Sequence, residues 1–511
     1  MQRSIEQLQA RFDVLVLGGG ITGAGVALDA ALRGLRVALI DKGDFGGGTS
    51  SVSSKLVHGG LRYLEQAQFR LVYEALHERG RLLASAPHLV HPLPFVIPFY
   101  TGAAVPGWKW RLGLCLYDAL AGACNIRRSS RLSSHGVVQQ APILRSQGLS
   151  GGAKYFDAQM DDARLCLAVI KTAAREGACV ANYVEAVAFE KTAGIISGVR
   201  AINRVRGSEL RIDARQVVNA TGPWVDAVCR LAGDDSGPHL RPTKGAHILL
   251  PGCGLTAALL LLHPRDRRVF FVMPWPRPGE ERAKTLIGTT DTDYDGSPDS
   301  LAPSAEDVAY LLEGYNHFAK EPFSASDVLG SFAGLRPLIR DRPGEPSARS
   351  REFRIFNSPT GLLSVAGGKY TTFRSMAETI TDRIVERLGR RLPCKTRMFP
   401  LDGAPLLPWT KFVSAAIASL VTRHDLSESA ARHLVYRYGS HADEVAAYLE
   451  RQPALAAQVV EGEPDLKVEF AYQQDHEMAI LPADYLLRRT RLGLVRPQLL
   501  DSFAMSIEPT A

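Results

Sequence analysis

Cysteine is scarce and unpatterned in this sequence: seven residues among 511, an odd number, with no CxxC pair. That supports neither a disulfide framework nor a zinc site, and it points to a reducing, cytoplasmic setting. Long apolar runs are missing as well. The longest, Leu255–Leu262, is interrupted by Thr256 and falls far short of the about 20 residues that a membrane-spanning helix needs. The opening MQRSIEQLQARFD is polar, so no signal-peptide core is expected. No block of Lys and Arg and no zinc-finger spacing marks a nucleic-acid binder. Internal repeats and low-complexity tails are also lacking.

The composition is ordinary for a globular chain, 46% hydrophobic and 22% charged, with a net charge of +7. The length implies two or three domains and a large core. The mild positive charge favours anionic partners: phosphorylated substrates, dinucleotides or anionic lipid. Residues 13–17 (DVLVL) predict a strand, 21–33 a helix and 36–40 (RVALI) a second strand, which together make a βαβ unit. A long Gly- and Ser-rich loop, 43–60, follows, and a compact domain rarely keeps such a loop without a function. Residues 69–85 have helical spacing. Pro87, Pro92, Pro94 and Pro98 then predict broken, extended segments. A helix is expected at 161–176, strands at 178–189, 195–202 and 209–219, and an antiparallel sheet within 240–300. Asp161, Asp162 and Arg164 read as a structural helix start. Helical stretches at 410–422, 427–437, 441–451 and 476–493, after the linker-like GAPLLP (403–408), predict a separate helical domain.

The chemistry begins at Gly18-Gly19-Gly20-Ile21-Thr22-Gly23, a GxGxxG run between strand and helix. Gly18 allows the tight turn, Gly20 lets the backbone approach a pyrophosphate, and Gly23 lets helix and strand pack closely. The helix start offers N–H groups and a positive dipole end to the diphosphate. Asp41 closes the second strand, where a carboxylate accepts from ribose hydroxyls and disfavours a 2′-phosphate. The motif by itself does not separate FAD from NAD. Ala220, Thr221 and Gly222 in NATGPW, and Gly367 and Gly368 before Lys369, tip the balance to FAD. They spread the expected contacts from Gly18 to Lys369, as a long flavin dinucleotide buried across a whole fold requires. The alternative for Gly367-Gly368 is a plain helix-entry turn. Ser54 and Lys55 are further candidate cofactor contacts; Ser50, Ser51 and Ser53 read as loop polarity.

Taken in order, LVLGGGITGAGVALDAALRGLRVALID, GTSSVSSKLVHGGLRYLE, YFDAQMDDARL, VVNATGPW, KGAHILL, FVMPW, IGTTDTDYDG, FAGLRPL, LSVAGGKYTTFR and DHEMAILPADYLLRRTRLGL resemble the FAD-dependent, aerobic, quinone-linked glycerol-3-phosphate dehydrogenases. The likeness covers nearly the whole chain. TSSVSSKLVHGGLRYLE and GGKYTTFR are its most particular segments. It implies an α/β fold: a Rossmann-type FAD domain of the glutathione-reductase or amino-acid-oxidase kind, an antiparallel substrate-binding sheet, and a C-terminal all-helical domain. The expected division is an FAD-binding domain over 1–404, to whose interleaved substrate-binding part 70–160 and 235–350 contribute, and a helical cap over 405–511. The implied reaction oxidises sn-glycerol 3-phosphate to dihydroxyacetone phosphate by hydride transfer from C2 to flavin N5, with electrons passed to a membrane quinone.

A phosphorylated polyol needs cations for its phosphate and a base for its hydroxyl. Arg336 (GLRPL), Arg351 (SREFR) and Lys369 are the candidate phosphate ligands; the resemblance supports all three, against the default of solvated surface charge. Tyr63 is placed in the substrate site with them. His58 and His247 are both candidate bases, with a buried structural histidine as the alternative for His247. Arg62 and Lys369 are candidates to stabilise the developing alkoxide. Residues 106–117 (PGWKWRLGLCLY) set Trp108, Lys109, Trp110 and Arg111 beside Leu112, Leu114 and Leu116. That suits either an interfacial segment, peripherally attached to the cytoplasmic membrane, or a core helix with snorkelling ends. A homodimer is compatible with the reading. Two rivals stand: a flavin oxidase of the same fold acting on an amino acid or hydroxy acid, and a flavin-containing scaffold without turnover.

Overall fold

The apolar run near the start forms strand Arg11–Leu17, buried from Phe12 onward. It lies inside a sheet ordered Phe353–Asn357, Leu363–Gly367, Glu209–Asn219, Arg11–Leu17, Val37–Ile40, Cys179–Ala181. This is a computed structural model, and it describes residues 1, 3–103, 105–234, 237–275, 283–340 and 352–503. The five strands from Leu363–Gly367 to Cys179–Ala181 run parallel. Parallel strands are covered on both faces, which is why VLVL and VALI read as unbroken apolar runs and not as alternation. Helices Ile21–Leu32, Asp162–Arg175 and Phe373–Arg387 share one apolar core with this sheet. The register sets Leu17 opposite both Ile40 and Asn219, and Asn219 opposite Ser364. Gly18, Asp41, Ala220 and the Gly367 turn therefore leave the sheet at the same end, where open α/β sheets bind ligands.

A second, ten-stranded sheet runs Thr292–Asp293, Thr243–Leu250, Lys284–Gly288, Val269–Trp275, Ala258–Leu262, Val90–Tyr100, Leu149–Met160, Leu56–Val57, with Gly330–Arg336 and Ser130–Leu132 paired off this path. Its pairs are antiparallel except Ala258–Leu262 beside Val90–Tyr100. Of the prolines expected to break residues 87–98, Pro87 sits in the turn after helix Phe69–Ser85, but the other three break nothing. Pro92, Pro94 and Pro98 sit within the continuous strand Val90–Tyr100. They share one parity, so their missing N–H groups fall on a single edge of the strand, and the ladder survives.

Beyond the 403–408 link, Trp409–His424, Glu428–Tyr438, Ala442–Ala446 and Lys467–Glu477 are helical and enclose their own core. The helix expected over 476–493 is not continuous. Lys467–Glu477 ends at Met478, which has φ +53°. One π-helical turn, Asp484–Arg489, and a short helix, Leu492–Val495, follow. Apolar periodicity across that stretch concealed the break, because Tyr485, Leu486, Leu492 and Leu494 are buried all the same. Among the described residues no helix is long and apolar enough to cross a membrane.

Charges bind the helical domain to the first sheet. Arg164 forks onto Glu477 at 2.5 and 2.8 Å, Lys171 stands 3.6 Å from the same carboxylate, and Asp44 receives Arg489 at 2.7 and 2.9 Å. Burial alone would raise the Glu477 carboxyl; Arg164 and Lys171 outweigh it and hold the group below the ordinary carboxylate range. A depressed folded-state pKa gives stability that is present above the unfolded value of 4.5 and is lost as pH falls through the folded value. Removing one partner of a buried pair costs about 3–5 kcal/mol, whereas an exposed pair is worth about 0–1 kcal/mol. Glu477→Ala should therefore lower the thermal midpoint by several degrees at pH 7, with the gap to wild type closing below about pH 4. Glu428→Ala, which breaks the exposed pair with Arg432, should melt within about a degree of wild type. Equal melting of the two variants would contradict this account of the seam.

Candidate active site

A cavity of about 930 Å³ opens at the carboxyl ends of the parallel strands and continues under the second sheet. Its volume lies high in the range of about 300–1,000 Å³ found for ligand pockets. The glycine turn forms its floor. Gly18 has φ +101°, and a Cβ there would sit 2.7 Å from the Ala220 carbonyl oxygen. At Gly23 a Cβ would lie 1.9 Å from the Gly18 carbonyl oxygen, so this glycine supports the turn from beneath and is not part of the wall. Ser50 stands at the helix start, its hydroxyl accepting from the Ile21 amide at 2.9 Å. Asp41 accepts from the amides of Gly19 at 2.6 Å and Gly43 at 2.9 Å. Burial pushes its carboxyl up to about 6 against those two bonds, and neighbouring Asp44 adds to the rise. Asp41, Gly18, Gly20, Ala220, Thr221, Gly222, Gly367 and Gly368 share one continuous wall. An extended dinucleotide fits that wall, whose turns only glycine can make: at Gly18, Gly367 and Gly368, all with positive φ, a Cβ would collide with the Ala220 carbonyl, the Glu352 carbonyl and Met376.

The other end carries the cations. The Lys369 ammonium lies over the Tyr63 ring, 3.6 Å from its centroid, in contact range for a cation–π pair. Arg336 donates to Asp291 at 3.0 Å and to Thr289 Oγ1 at 2.9 Å. His247 stacks on Phe332, with centroids 4.9 Å apart, and its Nε2 lies 2.9 Å from Ser54 Oγ. Burial first, then the charges of Arg336 and Lys55, depress the His247 imidazolium far below the ordinary histidine range, so the ring is neutral. Its Nδ1 has no hydrogen-bond partner among the described residues. His58 also faces the cavity; its backbone amide donates to Thr371 Oγ1 at 3.3 Å.

Most of the residues singled out from the sequence thus meet at one cavity: Gly18, Gly20, Asp41, Ser54, His58, Tyr63, Ala220, Thr221, Gly222, His247, Arg336, Gly367, Gly368 and Lys369. Lys55, expected as a cofactor contact, does not line the cavity. It takes a left-handed φ of +58° and buries its ammonium on Ser51 O at 2.5 Å and Asp162 Oδ1 at 2.6 Å. A buried ammonium requires such a partner, and Asp162 supplies it from the next domain layer. Arg62 is outside the wall as well, its guanidinium 5.8 Å from the Tyr63 ring. Arg351 lies outside the described residues.

Sequence reasoning missed a group at the mouth. Asp299 reaches Lys42 at 2.7 Å and accepts from the Trp224 indole at 3.1 Å, while Lys42 lies over that indole at 4.4 Å. Arg488, from the helical domain, also lines the wall. Trp224 belongs to the NATGPW run, a usable signal; Asp299 and Arg488 carry no local pattern. In the helix Gly107–Ala121, Trp108 (67% exposed), Leu112 (66%) and Leu116 (38%) form a stripe at i, i+4 and i+8, while Leu114 and Tyr117 turn into the core.

The model of the "FAD dependent oxidoreductase" family matches residues 13–382, and that of the "C-terminal domain of alpha-glycerophosphate oxidase" matches 394–507. The chain is 38% identical to the mitochondrial glycerol-3-phosphate dehydrogenase of Macaca fascicularis over 96% of this chain and 69% of that one. It is 38% identical to the aerobic glycerol-3-phosphate dehydrogenase of Bacillus subtilis (strain 168) over 94% and 87% of the two chains. The crystal structure of the glycerol-3-phosphate dehydrogenase of Bacillus halodurans, complexed with FAD, superposes with a TM-score of 0.80 at 31% identity, covering 98% of this chain and 90% of that one. Glycine oxidase from Geobacillus kaustophilus, at 21% identity and a TM-score of 0.54, shares the fold. With this cavity and these matches over nearly its whole length, the chain belongs to the FAD-dependent glycerol-3-phosphate dehydrogenase family.

Proposed function

We propose that this chain is an FAD-dependent dehydrogenase that oxidises sn-glycerol 3-phosphate to dihydroxyacetone phosphate and passes the electrons to a quinone. The observation that carries the reading is one continuous cavity with a dinucleotide seat at one end and the Arg336 and Lys369 cations at the other. Residues 1–404 form the FAD and substrate unit in this reading, with 70–160 and 235–350 supplying the substrate part, and 405–511 form the cap. Gly18, Gly20 and the Ile21 helix start take the diphosphate, Asp41 the ribose, and Ala220–Gly222 with Gly367-Gly368 the remainder of FAD. Bound FAD supplies the acceptor for the electron pair that leaves C2.

The chain's own residues bind and orient the polyol. Arg336 offers a planar guanidinium to phosphate, already oriented by Asp291 and Thr289. Lys369 adds a second cation, held in place by Tyr63. The proton of the C2 hydroxyl goes to a histidine. His247 is neutral and therefore has a free lone pair; His58 stands on the same wall. A positioned base contributes about 10²–10⁴-fold.

The anaerobic holoenzyme should bleach at the flavin band with glycerol 3-phosphate. Bleaching by an amino acid alone would move the assignment to an amino-acid oxidase, and bleaching by neither would favour a scaffold. In stopped flow, His58→Ala or His247→Ala should slow that bleaching at least about 100-fold with FAD retained. If both variants keep the wild-type rate, neither histidine is the base.

The pH dependence of cofactor binding has a definite sign. Asp41 is raised to about 6, so below that value the free site carries a protonated carboxyl that ribose hydroxyls bind less well. Apoprotein should bind FAD about tenfold more weakly at pH 5 than at pH 8. Asp41→Asn should bind weakly and uniformly across that range. A flat wild-type profile would remove Asp41 from the ribose site.

A quinone resides in the bilayer, and we assign its approach to the Trp108, Leu112 and Leu116 stripe, flanked by exposed Lys109 and Arg111. The triple Ser variant should lose binding to anionic phospholipid vesicles while retaining glycerol 3-phosphate bleaching. Unchanged vesicle binding would place the anchor elsewhere.

A further inference from the structure

Among the described residues, the cofactor cavity has one wall residue from the helical domain. Arg488 lies on the π-helical turn Asp484–Arg489 of the helical domain and faces the Asp41 end of the cavity, beside Gly43, Asp44 and Tyr183. The wider π-helical turn, a feature common at functional sites, brings two consecutive arginines to one side. Arg489 forks onto Asp44 at 2.7 and 2.9 Å and is spent on that contact and on the Glu477 carbonyl at 2.7 Å. Arg488 is differently disposed. Its Nε donates to Asp44 at 2.5 Å and its Nη2 to Asp484 at 2.6 Å. Nη1 has no hydrogen bond among the described residues, on a side chain only 11% exposed.

The surroundings explain why a cation is useful there. Asp41 and Asp44 set two carboxylates near a ligand that is itself an anion. Asp44 contributes to the raised Asp41 carboxyl, and two arginines overcome its own burial and hold it down to about 2. Arg488 is thus fixed by two carboxylates, with one donor left over at the nucleotide end. A planar guanidinium fixed in this way loses little further freedom on binding.

We propose that Arg488 makes the helical domain a working part of the cofactor site. Its guanidinium donates to acceptor atoms on the adenosine half of the bound dinucleotide, so that cofactor occupancy and docking of the domain stabilise each other. Such a coupling is reciprocal by linkage. The inference rests on the FAD reading above, and wild-type apoprotein separates the two: if it fails to bind FAD at all, both fall, whereas FAD binding that ignores the Arg488 side chain overturns this inference alone.

The test uses full-length apoprotein titrated with FAD by flavin fluorescence. Arg488→Gln should bind FAD at least tenfold more weakly than wild type. Its binding should weaken further at pH 6, because Asp44, with one arginine fewer, raises the Asp41 carboxyl more. Arg488→Lys keeps the charge on Asp44 and Asp484 without the fork, and should remain folded with FAD affinity reduced severalfold. In wild type, hydrogen exchange across 478–495 should slow on adding FAD, and Arg488→Gln should lose most of that protection. The proposal is overturned if Arg488→Lys binds FAD as wild type does, or if wild-type exchange at 478–495 is indifferent to FAD. Should Arg488→Gln fail to fold, these two measurements still decide it.

Discussion

Lys55 and Asp162 form a buried ion pair on which the active-site wall depends. Asp162 takes the Lys55 ammonium on one oxygen and the Ser53 amide and hydroxyl on the other, at 2.6, 3.0 and 2.7 Å. Its carbonyl receives the Tyr370 hydroxyl at 2.5 Å. That one residue therefore ties the Gly- and Ser-rich loop, the Lys369–Thr372 turn and the start of helix Asp162–Arg175 together. Ser54, held between two anchored neighbours, is left facing His247. Two residues further along the same helix, Arg164 grips Glu477 of the helical domain. Satisfied buried networks of this kind rigidify and specify a single arrangement, and they tolerate no missing member.

The cavity is polarised along its length. At the Asp41 end the carboxylates Asp41, Asp44 and Asp299 outnumber the cations Lys42 and Arg488; at the other end Arg336 and Lys369 outnumber Asp291. Low-dielectric walls let such a gradient act over the whole site. A ligand with a neutral, hydroxyl-rich ribose at one end and a dianionic partner at the other matches it.

What was legible in the sequence was local. Gly18 to Asp41 is one βαβ unit whose turn chemistry is written in consecutive residues, and the helix Phe69–Ser85 announces itself by its spacing. Pairing between distant segments was not legible. Nothing near Ala258 says that it lies parallel to Phe95, and the single parity of Pro92, Pro94 and Pro98 has meaning only once the strand is seen to be continuous. Lys55 looked like a cofactor ligand because its buried partner, Asp162, lies far along the chain. Periodicity promised a helix over 476–493 and concealed the turn that aims Arg488. In residues 106–117 composition showed an apolar, tryptophan-bearing segment, but only the helix phase separates Trp108 and Leu112, outside, from Leu114, inside.

The wall of the cavity is drawn from residues as early as Leu17 and as late as Arg488, and this has a consequence for how the protein is made. A ribosome adds about 5–20 residues per second, so the glycine turn is in place long before the strands and arginine that complete its surroundings. The cavity wall is complete only once Arg488 has been made, and strands such as Arg11–Leu17 wait for Glu209–Asn219 with their apolar faces open. The interval before those late partners arrive is when the chain depends most on protection from aggregation.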